Sequence, residues 1–184
     1  YLDRVGEKLV NGARLAEKAG FDGVDIKCCH RYLNCELLSA YDRAGKYGGC
    51  FENRTRLLRE SVQGAIQSTG RDFLVSSRLN AYDGFVYPYG FGVREGGGLE
   101  FDPTEPIQLI RMLYDYGVRI LNITMGNPYF NPHVNRPYAH GGYEAPEHPL
   151  VGVARMLNGT AQLKEAVPGM KIHKSGCSPF VCLS

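Results

Sequence analysis

Apolar residues recur along the chain with two different periods, which predict alternating helices and strands. Residues 2–19 carry Leu, Val and Ala at helical spacing with charged residues between them, and residues 21–26 have the pattern of a short buried strand. The same reasoning predicts a helix from Glu52 or Asn53 to about residue 68, a strand at 73–79, a helix that starts in the 102–106 capping sequence and ends at Gly117, a strand at 118–124, a helix at about 150–166 and a short strand at 171–173.

Four helices that alternate with four strands predict a parallel sheet with right-handed crossovers. No Gly-x-Gly-x-x-Gly follows any of these strands, which argues against a dinucleotide-binding Rossmann fold. Long loops follow the second and third strands, at 80–103 and 125–149, as in a (β/α)8 barrel. A whole barrel needs about 250 residues, and this chain has 184 and begins with Tyr1 instead of Met. We therefore expect part of an α/β barrel, and a fragment or processed segment of a longer protein.

The composition argues against several kinds of partner and against a metal site. Lys+Arg total 21 and Asp+Glu total 19, so charge gives no reason to expect nucleic acid or an anionic membrane as a partner. No apolar run approaches the roughly 20 residues of a membrane span. The six cysteines form no Cys-x-x-Cys and no zinc spacing, which favours reduced thiols in a cytoplasmic protein. His133, His140 and His148 match no ligand pattern either, so we predict no metal and interpret their loop as facing a substrate.

Candidate chemistry is concentrated where the first strand ends. Lys27, His30 and Tyr32 follow that strand directly, and Arg78 lies near the predicted end of the second. Barrel enzymes hold their reactive groups at the carboxyl ends of the strands. Each of these side chains also has a simpler interpretation. Lys27 would be a solvated lysine at a strand end, and His30 a histidine whose hydrogen bonds are satisfied within the protein. Tyr32 would pack under the loop, and Arg78 would form a structural ion pair.

The same stretch carries a family resemblance. Phe-Asp-Gly-Val-Asp-Ile, then a basic residue, two small residues, His-x-Tyr-Leu, and later Tyr-Gly-Gly-x-x-Glu-Asn-Arg, resembles the old yellow enzyme family of flavin oxidoreductases over about residues 5–176. The resemblance implies a partial FMN-binding TIM barrel at 1–176, covering the family's fourth to seventh strands, with a divergent tail at 177–184. It also implies hydride transfer from reduced FMN to an activated alkene or related acceptor, with NAD(P)H as the reductant.

By position, the resemblance assigns roles to individual residues. Lys27 and His30 match the two ligands of the substrate carbonyl, although the first is usually His, and Tyr32 matches the proton donor. Arg78 matches the arginine that faces the flavin N1–O2 edge. The small-residue turn Ser175-Gly176 matches the approach to the FMN phosphate, whereas Glu52, Asn53 and Arg54 are interpreted as a helix cap and a loop brace.

Two alternatives stay open. One is an inactive or incomplete barrel that binds no flavin and associates through its open sheet edges, as a homo-oligomer or with another chain. The other is a different barrel enzyme, such as a lyase that forms a Schiff base at Lys27. On the enzymatic interpretation the partner is a small-molecule substrate.

Overall fold

The computed structural model describes residues 1–174. Four parallel strands form one sheet in the order β1-β2-β3-β4, and a long helix precedes each strand. The strands are β1 (Gly23–Asp25), β2 (Leu74–Tyr82), β3 (Ile120–Met125) and β4 (Lys171–Lys174). The helices are α1 (Leu2–Lys18), α2 (Leu33–Leu38), α3 (Phe51–Arg54), α4 (Arg56–Ser68), α5 (Thr104–Tyr116), α6 (Pro132–Asn135) and α7 (Pro149–Ala166).

The predicted alternation of helices and strands is confirmed, while several boundaries differ. Strand β1 covers Gly23–Asp25 and not the whole of residues 21–26, and Phe21 before it is largely exposed. Backbone pairing with β2 nevertheless continues past its end, since the Cys28 amide donates to the Arg78 carbonyl at 2.9 Å. Strand β2 extends to Tyr82, so Arg78 lies in its middle and not near its end.

The helix predicted from Glu52 or Asn53 is interrupted. Helices α3 and α4 meet at Thr55, and α3 begins after Cys50, so neither Glu52 nor Asn53 caps it. The loop expected before it contains α2, and the loop after β3 contains α6. Gly117 ends α5 as predicted, in the left-handed conformation that glycine adopts without strain.

The two faces of the sheet differ in character. One face packs against the long helices through alternate strand residues, including Val75, Leu79, Leu121 and Ile123, which are nearly or completely buried. The side chains between them project from the other face and are polar: Asp25, Ser76, Arg78, Asn122 and His173. Parallel sheets are normally covered on both faces, so this half-exposed polar face is a surface that requires a cover.

The predicted boundary between residues 176 and 177, and the tail that follows it, lie outside the described residues. Within residues 1–174 no helix is both long and apolar enough to cross a membrane. The four cysteines of this part of the chain, Cys28, Cys29, Cys35 and Cys50, are free thiols.

Candidate active site

The predicted site residues lie at the carboxyl-terminal side of the sheet. Lys27, His30 and Tyr32 follow β1 in a short irregular segment, and Arg78 lies on the adjacent strand. A cavity of about 720 Å³ lies at the opposite end, among residues such as Phe21, Leu74 and Ile120. In barrel enzymes that opposite end contributes to stability and the carboxyl end to chemistry, so we assign the site to the carboxyl end.

Lys27 and Tyr32 form a stacked pair. The Lys27 ammonium lies 3.5 Å from the centroid of the Tyr32 ring, within the range of a cation–π interaction. The Asn34 side chain donates to the Lys27 carbonyl at 3.0 Å, which ties the start of α2 to this segment. The Tyr32 phenol is about half exposed, so this pair faces the mouth of the site.

A second phenol, which the sequence did not single out as reactive, meets this pair. The hydroxyl oxygens of Tyr32 and Tyr129 are 3.2 Å apart. The loop after β3 is held in a tight turn, because Asn127 Oδ1 accepts hydrogen bonds from the Tyr129 and Phe130 amides. The hydrogen bond with Tyr32 raises the pKa of Tyr129, so Tyr129 keeps its proton at neutral pH.

His30 is half-buried and surrounded by positive charge. Burial lowers its pKa most, and the charges of Arg78, Lys27 and Arg136 lower it further. Its imidazole is therefore neutral at neutral pH and carries one N–H donor. The charges of Arg78 and Lys27 also act on the neighbouring Cys29 thiol, although burial dominates there and raises its pKa. The structure thus places Lys27 and His30 on either side of Cys28 and Cys29, next to the point where the Cys28 amide pairs with the Arg78 carbonyl of β2.

Arg78 is partly buried on the polar face of β2. Its backbone amide donates to Asp25 Oδ1 at 3.0 Å, and it lies opposite Asn122 in the β2–β3 register. The Asn122 Oδ1 atom is buried and accepts no hydrogen bond within residues 1–174. A buried acceptor without a donor is costly, so this position favours a polar ligand.

Sequence reasoning missed two residues of this region, Arg31 and Asp83. His30 and Arg31 both adopt positive φ, at 58° and 56°, which is uncommon outside glycine. Arg31 binds the fully buried Asp83 at 2.9 Å, and Asp83 comes directly after β2. An acidic residue at the end of an apolar strand was the available signal for Asp83, because buried carboxylates need partners.

Arg54, from the Glu-Asn-Arg motif, braces the loop as expected. Its guanidinium donates to the carbonyls of Leu38 and Gly49 and pairs with Glu105 at the start of α5. It also stacks over the Tyr41 ring, with its central carbon 3.9 Å from the centroid. These contacts fix the loop between α2 and α3 and involve no group of the candidate site.

Ser175 and Gly176, predicted to approach the FMN phosphate, lie outside the described residues. Within residues 1–174, no three His, Cys, Asp or Glu side chains come close enough together to hold a metal. Of the histidines in the loop after β3, His133 is buried, and its Nδ1 is hydrogen-bonded to the Tyr143 hydroxyl.

Comparison with known proteins identifies the family. Residues 3–94, half of the chain, match the sequence profile of the NADH:flavin oxidoreductase / NADH oxidase family. The chain belongs to this family. The resemblance to the old yellow enzymes is thereby confirmed.

Curated relatives of the family share moderate identity with the chain. It is 34% identical over 128 residues to an NADH oxidase of Thermoanaerobacter brockii, which covers 68% of the chain and 18% of that protein. It is 31% identical over 116 residues to an NADPH dehydrogenase of Clostridium acetobutylicum, 62% of the chain and 31% of that protein. A cinnamate reductase of Clostridium sporogenes is 41% identical over 83 residues, 44% of the chain and 12% of that protein. The chain thus matches less than a third of each of these relatives.

Solved structures confirm the fold. The old yellow enzyme homologue of Zymomonas mobilis superposes with a TM-score of 0.61 at 22% identity, covering 98% of this chain and 43% of that one. A 2-naphthoyl-CoA reductase complex superposes with a TM-score of 0.69 at 22% identity, over 94% of this chain and 23% of that one. The four parallel strands are therefore part of a (β/α)8 barrel, as predicted.

Proposed function

We propose that this chain forms the catalytic face of an FMN-dependent oxidoreductase that uses NAD(P)H to reduce an activated alkene or a related acceptor. The observation that carries the proposal is the position of Lys27 and His30 just after β1, where the chain still pairs with β2 beside Arg78. The charges of Lys27 and Arg78 act on His30 there. These residues lie within the part of the chain that matches the NADH:flavin oxidoreductase / NADH oxidase family. Bound FMN would supply the hydride.

The polar face suits one edge of a flavin ring. A fixed positive charge from Arg78 would stabilise the anionic reduced ring, which is a usual way for a protein to tune a flavin. The buried, unsatisfied Asn122 Oδ1 lies opposite Arg78 in the sheet and offers an acceptor for a ring N–H. A charged donor and a neutral acceptor side by side match a heterocycle that carries both kinds of group.

Lys27 and His30 are suited to bind a developing oxyanion. The ammonium of Lys27 offers three donors and a full positive charge, and neutral His30 offers one N–H. Donors that are already positioned before charge develops contribute strongly to catalysis. Lys27 stands where the family usually has His, and it adds positive charge at the substrate oxygen.

Tyr32 is the proposed proton donor. Its phenol is exposed at the mouth and stacks beside the Lys27 ammonium. General acid catalysis requires a proton within reach of the reacting carbon. After Tyr32 gives up its proton, the Lys27 charge over its ring and the Tyr129 hydroxyl at 3.2 Å both stabilise the phenolate.

Visible absorption between about 350 and 500 nm tests the cofactor assignment. We expect the purified chain, mixed with FMN and desalted, to retain a band shifted from that of free FMN. Arg78→Ala should lose it, whereas Arg71→Ala, at an exposed arginine near the other end of β2, should keep it. Retention of the band in Arg78→Ala would contradict the role of Arg78. Absence of a band in the wild type would favour an incomplete barrel without flavin.

The roles of Lys27 and His30 are tested separately. With flavin bound, Lys27→Met and His30→Gln should slow oxidation of the reduced flavin by an activated alkene and leave its reduction by NAD(P)H nearly unchanged. Equal loss of both half-reactions would contradict the assignment. Borohydride trapping of a carbonyl substrate on Lys27, without bound flavin, would instead support the Schiff-base lyase.

A further inference from the structure

The backbone that carries His30 adopts a conformation that L-residues disfavour. His30 and Arg31 are consecutive, and they are the two non-glycine residues with positive φ between residues 1 and 174. Such conformations persist only where the surroundings enforce them. The contacts of Arg31 therefore indicate what holds this segment in place.

Arg31 is held from several segments at once. Its guanidinium binds Asp83 at 2.9 Å, Ser39 Oγ at 2.8 Å and the Tyr89 carbonyl at 3.2 Å. Glu36 of α2 takes its outer edge at 2.8 and 2.9 Å. The Arg31 side chain is only 19% exposed, whereas that of Glu36 is 48% exposed. The inner contacts thus fix the arginine more firmly than the outer one.

Asp83 is the buried centre of this arrangement. Its carboxylate accepts hydrogen bonds from the Phe91 amide at 2.9 Å and the Asn80 side chain at 2.7 Å, in addition to the one from Arg31. The Cys35 thiol lies 3.7 Å from Asp83 Oδ1. Asn80 in turn accepts from the Thr124 hydroxyl of β3 at 2.9 Å. Arg31 is therefore anchored to the carboxyl ends of two strands.

We propose that Arg31 and Asp83 are positioning residues, which hold residues 30 and 31 in the left-handed conformation and so direct the His30 imidazole onto the polar face beside Lys27. The inference deepens the proposed function, because it explains how one of the two oxyanion ligands is oriented. The hydrogen bonds of the Arg31 and Asp83 side chains go to residues outside the proposed catalytic groups. Their effect passes through the backbone.

The pKa of His30 depends both on the charges around its imidazole and on the position of that imidazole. The charged groups that act on His30 are Lys27 after β1, Arg78 on β2 and Arg136 after α6, and Arg31 is not among them. Arg31→Ala and Arg31→Gly lose the same charge, so a difference between their His30 titrations reports the position of the imidazole and not the loss of charge.

The test is an NMR pH titration of the imidazole signals of the flavin-free chain, with His30 assigned by His30→Gln. In the wild type the pKa of His30 should lie below its ordinary value of about 6.5. Arg31→Ala and Asp83→Asn should raise it towards that value, because the segment relaxes. Arg31→Gly loses the same guanidinium but tolerates positive φ, so its shift should be clearly smaller than that of Arg31→Ala. Glu36→Gln, on the exposed side of the same arginine, should cause little change.

Two results would overturn the proposal. One is an unchanged His30 titration in folded Arg31→Ala. The other is an equal shift in Arg31→Gly and Arg31→Ala, which would exclude action through the left-handed backbone. If Asp83→Asn does not fold, the two Arg31 variants still decide the matter. Because no flavin is present, failure of FMN binding leaves this result intact, and the converse also holds.

Discussion

Replacement of Arg54 by Met should destabilise the chain far more than loss of an exposed ion pair. Arg54 is 3% exposed and pairs with Glu105, which is 30% exposed. It also donates to the Gly49 carbonyl at 2.9 Å and to the Leu38 carbonyl. Met keeps most of the aliphatic volume, so the substitution chiefly removes the charge and the donors.

The expected loss of unfolding free energy follows from the Glu105 carboxylate, which keeps its charge after Arg54 is removed. Removal of one partner of a buried ion pair costs about 3–5 kcal/mol, because the other charge stays uncompensated. Glu105 retains partial contact with water, which places the expected loss near the lower end, about 3 kcal/mol. For a chain of this size, that loss corresponds to a fall in Tm of roughly 6–12 °C.

Thermal and urea unfolding followed by circular dichroism would measure the difference. The matched control is Arg94→Met. The Arg94–Glu100 pair is a direct ion pair at 2.7 Å, like Arg54–Glu105 at 2.5 Å, but its side chains are 54% and 53% exposed. That pair should contribute no more than about 1 kcal/mol. Arg54→Lys should fall between the two, since it keeps the charge without the planar fork. A loss in Arg54→Met no larger than in Arg94→Met would refute the assignment of Arg54 as the brace of this loop.

Two further predictions concern a close backbone contact and a buried imidazole. Gly92→Ala should abolish or severely impair folding, because the added Cβ would lie 2.0 Å from the Ala81 carbonyl oxygen at a φ of +69°; Gly96→Ala, at φ +70° with open space around it, should cost only about 1–2 kcal/mol. Expression level and unfolding curves compare the two variants, and equal effects would exclude the contact as the cause. His30→Gln should weaken the loss of stability on acidification below about pH 6.5. The pKa of His30 is lowered in the folded state, so the unfolded chain takes up the proton first and acid favours unfolding. Urea unfolding of the wild type and the variant across this pH range measures the difference, and parallel pH dependences would contradict the prediction.

The fold could be predicted from local patterns because each helix and strand buries one continuous apolar face. Alternation in β2 and β3 and helical spacing in α1, α4 and α5 are both properties of short windows of sequence. The break at Thr55 and the short helix α2 were missed. Arg54, directly before the break, donates to the carbonyl of Leu38, the last residue of α2, which lies 16 positions away. A contact over that separation is not visible in a short window of sequence.

In the candidate site too, residues within one motif could be predicted, whereas contacts between distant parts of the chain could not. Lys27, His30 and Tyr32 lie within a single motif, so the sequence brings them together, and Arg78 follows from the strand pattern. The Arg31–Asp83 pair spans 52 positions, and the Tyr32–Tyr129 contact spans 97. Positive φ at two non-glycine residues leaves no compositional signal either. These features arise only when strand ends meet, and tertiary contacts decide them.

The polar face of the sheet carries the strongest physical argument for a bound ligand. The interior of a barrel is ordinarily filled by layers of Val, Ile and Leu, and here the corresponding positions include Ser76, Arg78 and Asn122. The orphaned Asn122 Oδ1 would not be satisfied by an aliphatic layer from the rest of a barrel. A polar ligand with a hydrogen-bond donor would satisfy it. The inward face of these strands is therefore better suited to a polar ligand than to an aliphatic layer.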